Sequence, residues 1–263
     1  MSQPGDDILN ELQIVAAVND EDVLARNLMA SAIIRDGLVD LKCYRGAASA
    51  SQAYNQGLDE TTARIVVFAH QDVFLPDDWA ERLAHAIARI EAVDPDWAVI
   101  GAFGVDLAGR PVGHAWSTGL GRRLGGRFDQ PIETTCIDEF VVVLNRTSGL
   151  RFDPALPGFH LYGTDIVLAA GVAGRKSYVA DIPAIHNSKP VHGYAGGYSD
   201  VWRFMRDKWR ARLPVPTLTV PLTRTELPLL RARFRLWKSR RQRLLRAGNA
   251  LTDPRELVAQ LEN

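Results

Sequence analysis

The strongest hydrophobic pattern in the chain is an unbroken apolar run, Ile65 to Ala69, that stops abruptly at His70-Gln71-Asp72. A short apolar run rich in β-branched residues predicts a strand buried on both faces, as in a parallel sheet. His70 and Asp72 are two positions apart, so their side chains should leave the strand end in the same direction. Ligands of open α/β sheets bind beyond the carboxyl ends of strands, which makes this end a candidate site; a simple polar turn is the alternative.

Segments before this strand alternate between strand-like and helix-like patterns. Asn19 is a candidate N-cap followed by acidic residues, which favours a helix start at that point. The alternation predicts an α/β fold with a Rossmann-like parallel sheet and right-handed crossovers. The predicted strands are 12–18, 38–44 and 65–69, and the predicted helices between them are 19–36 and 47–58.

After the strand 65–69, the alternation of strand-like and helix-like segments continues to about residue 103 and is then lost. Residues 107–131 are rich in glycine and contain Arg122, Arg123 and Arg127, which is typical of a mobile loop or of a lid over a site. Further along, Asp165 opens an alanine-rich helix, and His186 follows the last predicted strand. The other predicted elements are helices at 79–90 and 199–210 and strands at 97–103, 136–144 and 177–185.

Charge is balanced overall but concentrated near the C-terminus. The 263 residues contain 31 Lys and Arg against 31 Asp and Glu, yet the stretch 229–247 holds eight basic residues and no acidic one. Apolar residues recur there at 230, 234, 237, 244 and 245, roughly on one side of a helix. Such a helix either lies on an anionic membrane surface or packs its apolar stripe on the protein body. We therefore interpret 1–215 as one domain and 216–263 as a linker and helical tail.

Composition narrows the classes of function. The hydrophobic content of 46% and the charged content of 24% are those of a globular protein. Cys43 and Cys136 lie in apolar segments without zinc-site spacing, so we expect free thiols. Residues 1–7 do not resemble a signal peptide, and no apolar run reaches the ~18 residues of a membrane span, so we expect a cytoplasmic location, free or peripheral at the inner membrane face. Nucleic acid is not an expected partner, because the basic tail has no recognition motif.

Three polar residues at strand ends or helix starts are candidates for chemistry. Asp72 and His186 are competent ligands for Mg²⁺ or Mn²⁺. Asp165 begins a helix, where the macrodipole favours an ionised carboxylate that can accept a proton. The structural alternatives are a polar turn for Asp72, a helix cap for Asp165 and a backbone hydrogen bond for His186.

The order of these motifs resembles that of the family 2 glycosyltransferases over roughly residues 12–215. The segment Ala53-Tyr54-Asn55-Gln56-Gly57 is similar to the A-x-N-x-G signature that precedes the metal-binding strand. His70-Gln71-Asp72 lies where the family carries D-x-D, and Thr164-Asp165 lies where many members carry E-D. His186 ends a strand like the one whose final His completes the metal site.

Two positions depart from the family pattern. His70 replaces the first acid of D-x-D, and Thr164 replaces the Glu before Asp165. The variant around His70, together with Lys208-Trp209 and Leu213-Pro214 downstream, resembles the branch of streptomycin-biosynthesis glycosyltransferase-like proteins. These departures leave the metal stoichiometry and the choice of donor open.

The resemblance implies a GT-A fold with a mixed, mostly parallel sheet flanked by helices. It implies inverting transfer of a sugar from a nucleotide-sugar donor to the hydroxyl of a carbohydrate or lipid-linked acceptor, with Asp165 as base and Mn²⁺ or Mg²⁺ held by Asp72 and His186. The alternative, motivated by the departures, is an inactive GT-A-like domain that binds a carbohydrate or a partner; a phosphoesterase would need more acidic ligands. Residues implied to contact the donor are Asn19, Asp20, Glu21, Asn55, His70, Gln71 and Asp72.

Overall fold

The computed structural model describes residues 8–189, 197–246 and 253–262, and of residues 240–246 and 262 only the backbone. The segment 1–7, predicted not to be a signal peptide, lies outside the described residues. So do residue 247 and the side chains of Leu244 and Leu245 in the basic stretch.

The first three strands are parallel and place the predicted central run inside the molecule. Strand β1 (Leu12–Val18) pairs on one side with β2 (Leu41–Arg45) and on the other with β3 (Ile65–Ala69). Every residue of β3 is buried, and its side chains alternate between two apolar layers, one on each face of the sheet. The prediction of a strand buried on both faces is confirmed.

The remaining elements follow the alternating pattern as far as residue 101 and then become mainly strands. The helices are α1 (Glu21–Arg26), α2 (Ala32–Arg35), α3 (Ala50–Asp59), α4 (Trp79–Glu91), α5 (Tyr162–Val172), α6 (Tyr198–Lys208), α7 (Leu227–Arg246) and α8 (Val258–Glu262). The other strands are β4 (Val73–Phe74), β5 (Val99–Gly101), β6 (Phe103–Asp106), β7 (Pro111–Ser117), β8 (Arg122–Gly125), β9 (Ile132–Ile137), β10 (Val141–Asn145), β11 (Ser177–Val179) and β12 (Ala184–His186).

The described strands form one curled, mixed sheet in the order β2-β1-β3-β10-β5-β11-β9-β6-β7-β12-β4, with β8 beside β7. Strand β10 runs antiparallel to both β3 and β5, and parallel pairing recurs only at β5–β11 and β7–β12. The prediction of a mostly parallel sheet is therefore wrong for the described strands. Short turns such as those joining β6, β7 and β8 can connect only antiparallel neighbours, whereas parallel strands need long crossovers.

Packing on the two faces of β3 fixes the elements around its carboxyl end. On one face, α4 buries Trp79, Leu83 and Ile87 against the sheet. On the other, the rings of Tyr54, Phe68, Phe152 and Tyr162 form a cluster with centroids 4.7 to 5.9 Å apart. Paired aromatic rings contribute beyond their buried area, so this cluster anchors the start of α5 below the end of β3.

Residues 107–131, predicted as an irregular loop, contain the strands β7 and β8. Glycine at two positions makes this hairpin geometry accessible: Gly113 has φ +132° and Gly125 has φ +67°, a region that other residues rarely adopt. The sequence pattern did not show the hairpin because its glycines resemble those of a loop.

Four predicted continuous elements are interrupted in the structure, and the first of them, the predicted strand 97–103, is divided between β5 and β6. The predicted strand 136–144 is divided between β9 and β10, which leaves Asp138, Glu139 and Phe140 in the break. The predicted strand 177–185 is divided between β11 and β12, and the predicted helix 19–36 between α1, a short 3-10 turn and α2. Polar or small residues lie in or next to each break.

The C-terminal segment packs back on the sheet edge that carries β12 and β4. Leu261 of α8 is buried against Phe74 and Ile185. The buried ring of His114 links the same segment to the sheet, since its Nε2 lies 2.9 Å from the Leu261 carbonyl oxygen and its Nδ1 lies 2.6 Å from Asp181. None of the described helices combines the length and apolar character needed to cross a bilayer. The domain boundary at residue 215 stays a prediction.

Replacing Gly125 by Ala should destabilise the β7–β8 hairpin. A Cβ atom there would lie 1.9 Å from the carbonyl oxygen of Gly113, and the left-handed backbone alone costs about 1–2 kcal/mol for a residue with a Cβ. The free energy of unfolding in urea should fall by at least that amount. Gly126→Ala is the matched control, because no atom lies within 4 Å of its added Cβ; equal stability of the two variants would contradict the hairpin geometry.

Candidate functional site

Three side chains from distant parts of the sequence meet at the carboxyl end of β3. His70 follows β3, Asp72 lies in the next turn and His186 ends β12, and one ligand atom from each lies within 4.8 Å of the others. The Nε2 atom of His186 is 3.4 Å from Oδ1 of Asp72, and Nδ1 of His70 is 3.9 Å from the same oxygen. The antiparallel pair β4–β12 produces this arrangement, since the Asn187 N–H donates to the Asp72 carbonyl at 2.8 Å.

The structure places His70 beside Asp72 and His186, the two residues predicted from the sequence as metal ligands. Its orientation is set by Tyr162, whose hydroxyl donates to the Glu139 carbonyl oxygen at 2.8 Å and lies 2.7 Å from His70 Nε2. Because the Tyr162 proton is used on the carbonyl, His70 Nε2–H is the donor to the hydroxyl oxygen, and Nδ1 keeps its lone pair facing Asp72. Burial lowers the pKa of His70 to about 4, so the ring is neutral near pH 7.

The other two members of the cluster stabilise each other's charge. Burial alone would raise the pKa of Asp72, but His186 more than offsets this and holds that pKa below its usual range. Burial alone would lower the pKa of His186, and the Asp72 carboxylate reverses the effect and raises it. An ionised carboxylate next to two imidazoles is a ligand set that fits a divalent cation, and two imidazoles favour Mn²⁺ over Mg²⁺.

Gln71 connects the ends of β1 and β3. Its Oε1 accepts from the N–H groups of Asn19 at 2.9 Å and Asp20 at 3.1 Å, and its Nε2 donates to Asn19 Oδ1 at 2.6 Å. Asn19 and Gln71 border two cavities that reach Asp72, and Asp20 borders the larger of the two. One, of about 650 Å³, also contains Arg26 and Lys189, and the other, of about 290 Å³, contains Tyr44, Ala47 and Phe159.

Two residues implied to contact the donor have other partners. The Glu21 carboxylate forms an exposed ion pair with Arg45. The Asn55 amide bonds the backbone of Phe152 twice, accepting from its N–H at 3.1 Å and donating to its carbonyl at 2.8 Å. Neither residue lines the two cavities at the ends of β1 and β3. Donor contacts by Glu21 and Asn55 stay predictions that this geometry does not favour.

Asp165 lies in a buried ion pair. Its side chain is 4% exposed, and its Oδ1 is 2.8 Å from both Lys208 Nζ and Trp209 Nε1. Lys208 also contacts Asp153 at 2.6 Å. Burial raises the pKa of Asp165, although Lys208 opposes the rise. The carboxylate joins α5 to the end of α6, and its role as a base stays a prediction.

Two acidic residues that the sequence analysis did not single out lie beside the cluster. Asp138 and Glu139 occupy the break between β9 and β10 and line a cavity of about 480 Å³ together with His70 and His186. Burial raises the pKa of both, and the neighbouring Asp138 adds to the rise for Glu139. Adjacent acids inside an otherwise apolar predicted strand were the available signal, because charged residues are rarely buried without a reason.

Comparisons with known proteins do not establish a family. No family model matches the chain. A protein from Fuscovulum blasticum described as "ATP synthase subunits region ORF 6" is 29% identical over an alignment of 147 positions that covers 52% of this chain. The aligned region spans 57% of that protein, so this chain corresponds to little more than half of its length.

Solved structures with partial similarity include three proteins that are each 13% identical to this chain. GalNAc-T7 with UDP, GalNAc and Mn²⁺ has a TM-score of 0.48 and covers 88% of this chain and 56% of its own. The mannosyltransferase PcManGT from Pyrobaculum calidifontis, with GDP-Man and Mn²⁺, has a TM-score of 0.48 and coverages of 95% and 75%. TarS from S. aureus has a TM-score of 0.45 and coverages of 75% and 39%. With every TM-score under 0.5, these similarities carry no argument about this chain.

Replacing Lys208 by Met should strongly destabilise the protein. The substitution leaves the Asp165 carboxylate buried without its cation, and breaking a buried ion pair on one side costs about 3–5 kcal/mol. The measurement is the free energy of unfolding in urea. Lys176→Met, which removes an exposed ion pair to Glu133, is the control and should change stability little. Equal effects of the two substitutions would show that Asp165 does not depend on Lys208.

Proposed function

We propose that this chain is a divalent-metal-dependent glycosyltransferase that uses a nucleotide-sugar donor. The observation that carries the proposal is the cluster of His70, Asp72 and His186 between two sets of cavities. The three residues belong to segments that resemble glycosyltransferase motifs. They form one cluster although 116 positions separate His70 from His186. A chance resemblance would not require them to meet.

The cavities at the ends of β1 and β3 suit the nucleotide part of a donor. Tyr44, Ala47 and Phe159 supply flat or apolar surface for a base, and Asn19 and Asp20 supply polar groups beside it. Arg26 and Lys189 line the larger of these cavities and can attract a diphosphate. A nucleoside diphosphate lying there would have its phosphates next to Asp72.

The metal would be held by His70 Nδ1, Asp72 and His186. When bound, it would supply Lewis-acid stabilisation of the negative charge that develops on the departing diphosphate. The hydrogen bond from His70 to Tyr162 orients the ring for this task, as outer partners of metal-bound His commonly do. Since ligating imidazoles must lose their protons, metal affinity should fall at acidic pH through His186, whose pKa is raised.

Two other interpretations remain distinct from this proposal. An inactive domain that binds carbohydrate would not need a neutral His70 held with Nδ1 free beside Asp72. A metal-dependent phosphoesterase would need more acidic ligands than the single carboxylate of Asp72. Inverting displacement with Asp165 as the base is the form of the mechanism that the sequence resemblance implies.

Nucleotide-sugar binding should depend on the metal cluster. With Mn²⁺ and a panel of UDP, GDP, dTDP and CDP conjugates, at least one conjugate should raise the thermal stability of the wild-type protein; a concentration of 100 times Kd contributes about 2.7 kcal/mol. Asp72→Ala should abolish the shift and leave the unliganded protein folded. Asp96→Ala, at an exposed site far from the cluster, should bind like the wild type. A panel without any Mn²⁺-dependent shift would contradict the proposal.

We also propose that α7 contacts an anionic membrane, which would suit a lipid-linked acceptor. One face of this helix packs on the protein through Leu229, Ala232 and Leu236. A different face carries Leu230, Phe234 and Trp237, which are 54%, 62% and 72% exposed, and the rings of Phe234 and Trp237 lie 5.8 Å apart. Leu230, Phe234 and Trp237, which the sequence analysis named, are therefore not the residues that pack on the body.

The positive charge around this exposed face favours an anionic surface as its partner. Four basic residues are exposed on or next to the turns of α7 that carry this apolar face: Arg231, Arg233, Arg235 and Lys238. Basic residues near an anionic bilayer contribute about 1 kcal/mol each, and partly buried aromatic rings anchor such a helix at the interface.

Sedimentation with lipid vesicles tests this contact. The protein should sediment with vesicles that contain anionic lipid at low salt, less at high salt, and not with neutral vesicles. Exchanging both Phe234 and Trp237 for Ser should weaken binding. The matched control exchanges Val93 and Val172, which are 80% and 61% exposed elsewhere on the surface, for Ser. No sedimentation with anionic vesicles at low salt, or equal loss in the control, would rule out the contact.

A further inference from the structure

We propose that Glu139 is the catalytic residue that takes the proton from the acceptor hydroxyl. The assignment rests on the glycosyl transfer proposed above and concerns a residue that the motif resemblance does not include. It also makes the 480 Å³ cavity beside the metal cluster the acceptor site.

The position of Glu139 separates it from the donor side. His70 lines both the 290 Å³ cavity at the end of β1 and the 480 Å³ cavity of Glu139. Of these two cavities, Asn19 and Gln71 line only the one at the end of β1. Asp138, Glu139 and His186 line only the 480 Å³ cavity. A sugar attached to a diphosphate next to Asp72 would extend past His70 towards Glu139. An acceptor approaching from the 480 Å³ cavity would then lie between the sugar and the Glu139 carboxylate.

The start of α5 is shaped to hold this carboxylate. The backbone N–H groups of Leu161 and Gly163 face the Glu139 carboxylate and oppose the rise in its pKa. Leu161 has φ +61° and is the only non-glycine residue with positive φ in the described part of the chain. Such a conformation costs about 1–3 kcal/mol and persists where the surroundings require it. Here the strained backbone directs an N–H group at Glu139.

Gly163 provides the second half of the cradle. A Cβ atom at this position would lie 2.9 Å from the Ile137 carbonyl oxygen and 3.3 Å from Cγ of Glu139. A side chain at position 163 would collide with the Ile137 carbonyl oxygen, so glycine lets the start of α5 lie close to the segment that carries Glu139. Two independent backbone features, a positive φ and a close approach, therefore serve the same carboxylate.

The raised pKa of Glu139 supports its assignment as the base. Burial and the adjacent Asp138 raise the pKa of Glu139 well above its usual value, which brings it towards the working pH of a general base. Asp165, by contrast, has both of its oxygens engaged by Lys208, one of them also by Trp209, and does not line the acceptor cavity. The pKa of Asp165 is raised as well, so access rather than basicity separates the two carboxyl groups: Lys208 and Trp209 cover the oxygens of Asp165, whereas Glu139 lines the acceptor cavity.

The proposed step transfers one proton and exchanges one bond. The acceptor hydroxyl gives its proton to a Glu139 carboxylate oxygen, and the oxygen lone pair forms the new bond to the anomeric carbon. The bond from that carbon to the diphosphate breaks, and its electron pair leaves with the nucleoside diphosphate. Glu139 then releases the proton to solvent.

Substitution of Glu139 by Gln tests the step. The amide keeps the size of the side chain, and Glu139 does not line the cavities assigned to the nucleotide, so Mn²⁺-dependent binding of the nucleotide should be unchanged. Sugar transfer, measured with the donor found by thermal shift, should fall by about 10²–10⁴-fold, as on removal of a general base. With Mn²⁺ kept saturating at every pH, the part of the acidic limb of kcat/KM that reports protonation of Glu139 should disappear. Glu133→Gln, at a surface ion pair, should transfer at the wild-type rate.

Two further variants make the result decisive. Asp165→Asn should lose stability yet retain transfer in its folded fraction, and Glu139→Asp should restore part of the rate lost in Glu139→Gln. Full transfer by Glu139→Gln, or loss of transfer with intact nucleotide binding in Asp165→Asn alone, would overturn the assignment. Failure of the proposed function is distinguishable, since the wild-type protein would then not bind a nucleotide with Mn²⁺ at all, and this would overturn the assignment as well.

Discussion

The candidate site depends on the pairing of two very short strands, β4 and β12. Asp72 precedes one and His186 ends the other, so the hydrogen bonds of this pair decide whether a carboxylate and an imidazole 114 positions apart in the chain meet. The pair is closed by Asn187, whose N–H donates to the Asp72 carbonyl and whose amide donates to Asn27 Oδ1 at 2.8 Å. A site assembled in this way forms only after the sheet has closed, because its closest contacts span more than a hundred residues.

Sequence reasoning located the strand ends well and the interruptions poorly. The run at 65–69 predicts its own burial, since continuous β-branched residues suit only a strand covered on both faces. The break at 138–140 is different, because Phe140 and the residues on both sides are apolar and keep the pattern of a strand. Only the pairing of β10 with β3 and of β9 with β6 shows that the chain bends there. Pairing between distant strands leaves no periodic signal in either one.

The same limit applies to the chemistry of the site. A motif identifies Asp165 by its place in the chain order, but its environment comes from Lys208 and Trp209, forty-odd residues away. Glu139 has no motif of its own, and its environment comes from the conformation of Leu161 and the absence of a side chain at 163. Order along the chain therefore predicted which elements build the site, and packing decides which of their carboxylates faces the cavity.

The return of the chain's C-terminal segment to the sheet connects two distant parts of the molecule energetically. Leu261 packs on β4 and β12, while Asp253 and Arg255, a few residues earlier, line the cavity next to Asp72. A ligand that gains contacts there when the segment is docked must also hold the segment in place, by the same free energy, because such coupling is reciprocal. Cleavage by a protease near residue 253 would thus report occupancy of a site formed mainly by residues more than 180 positions earlier in the chain.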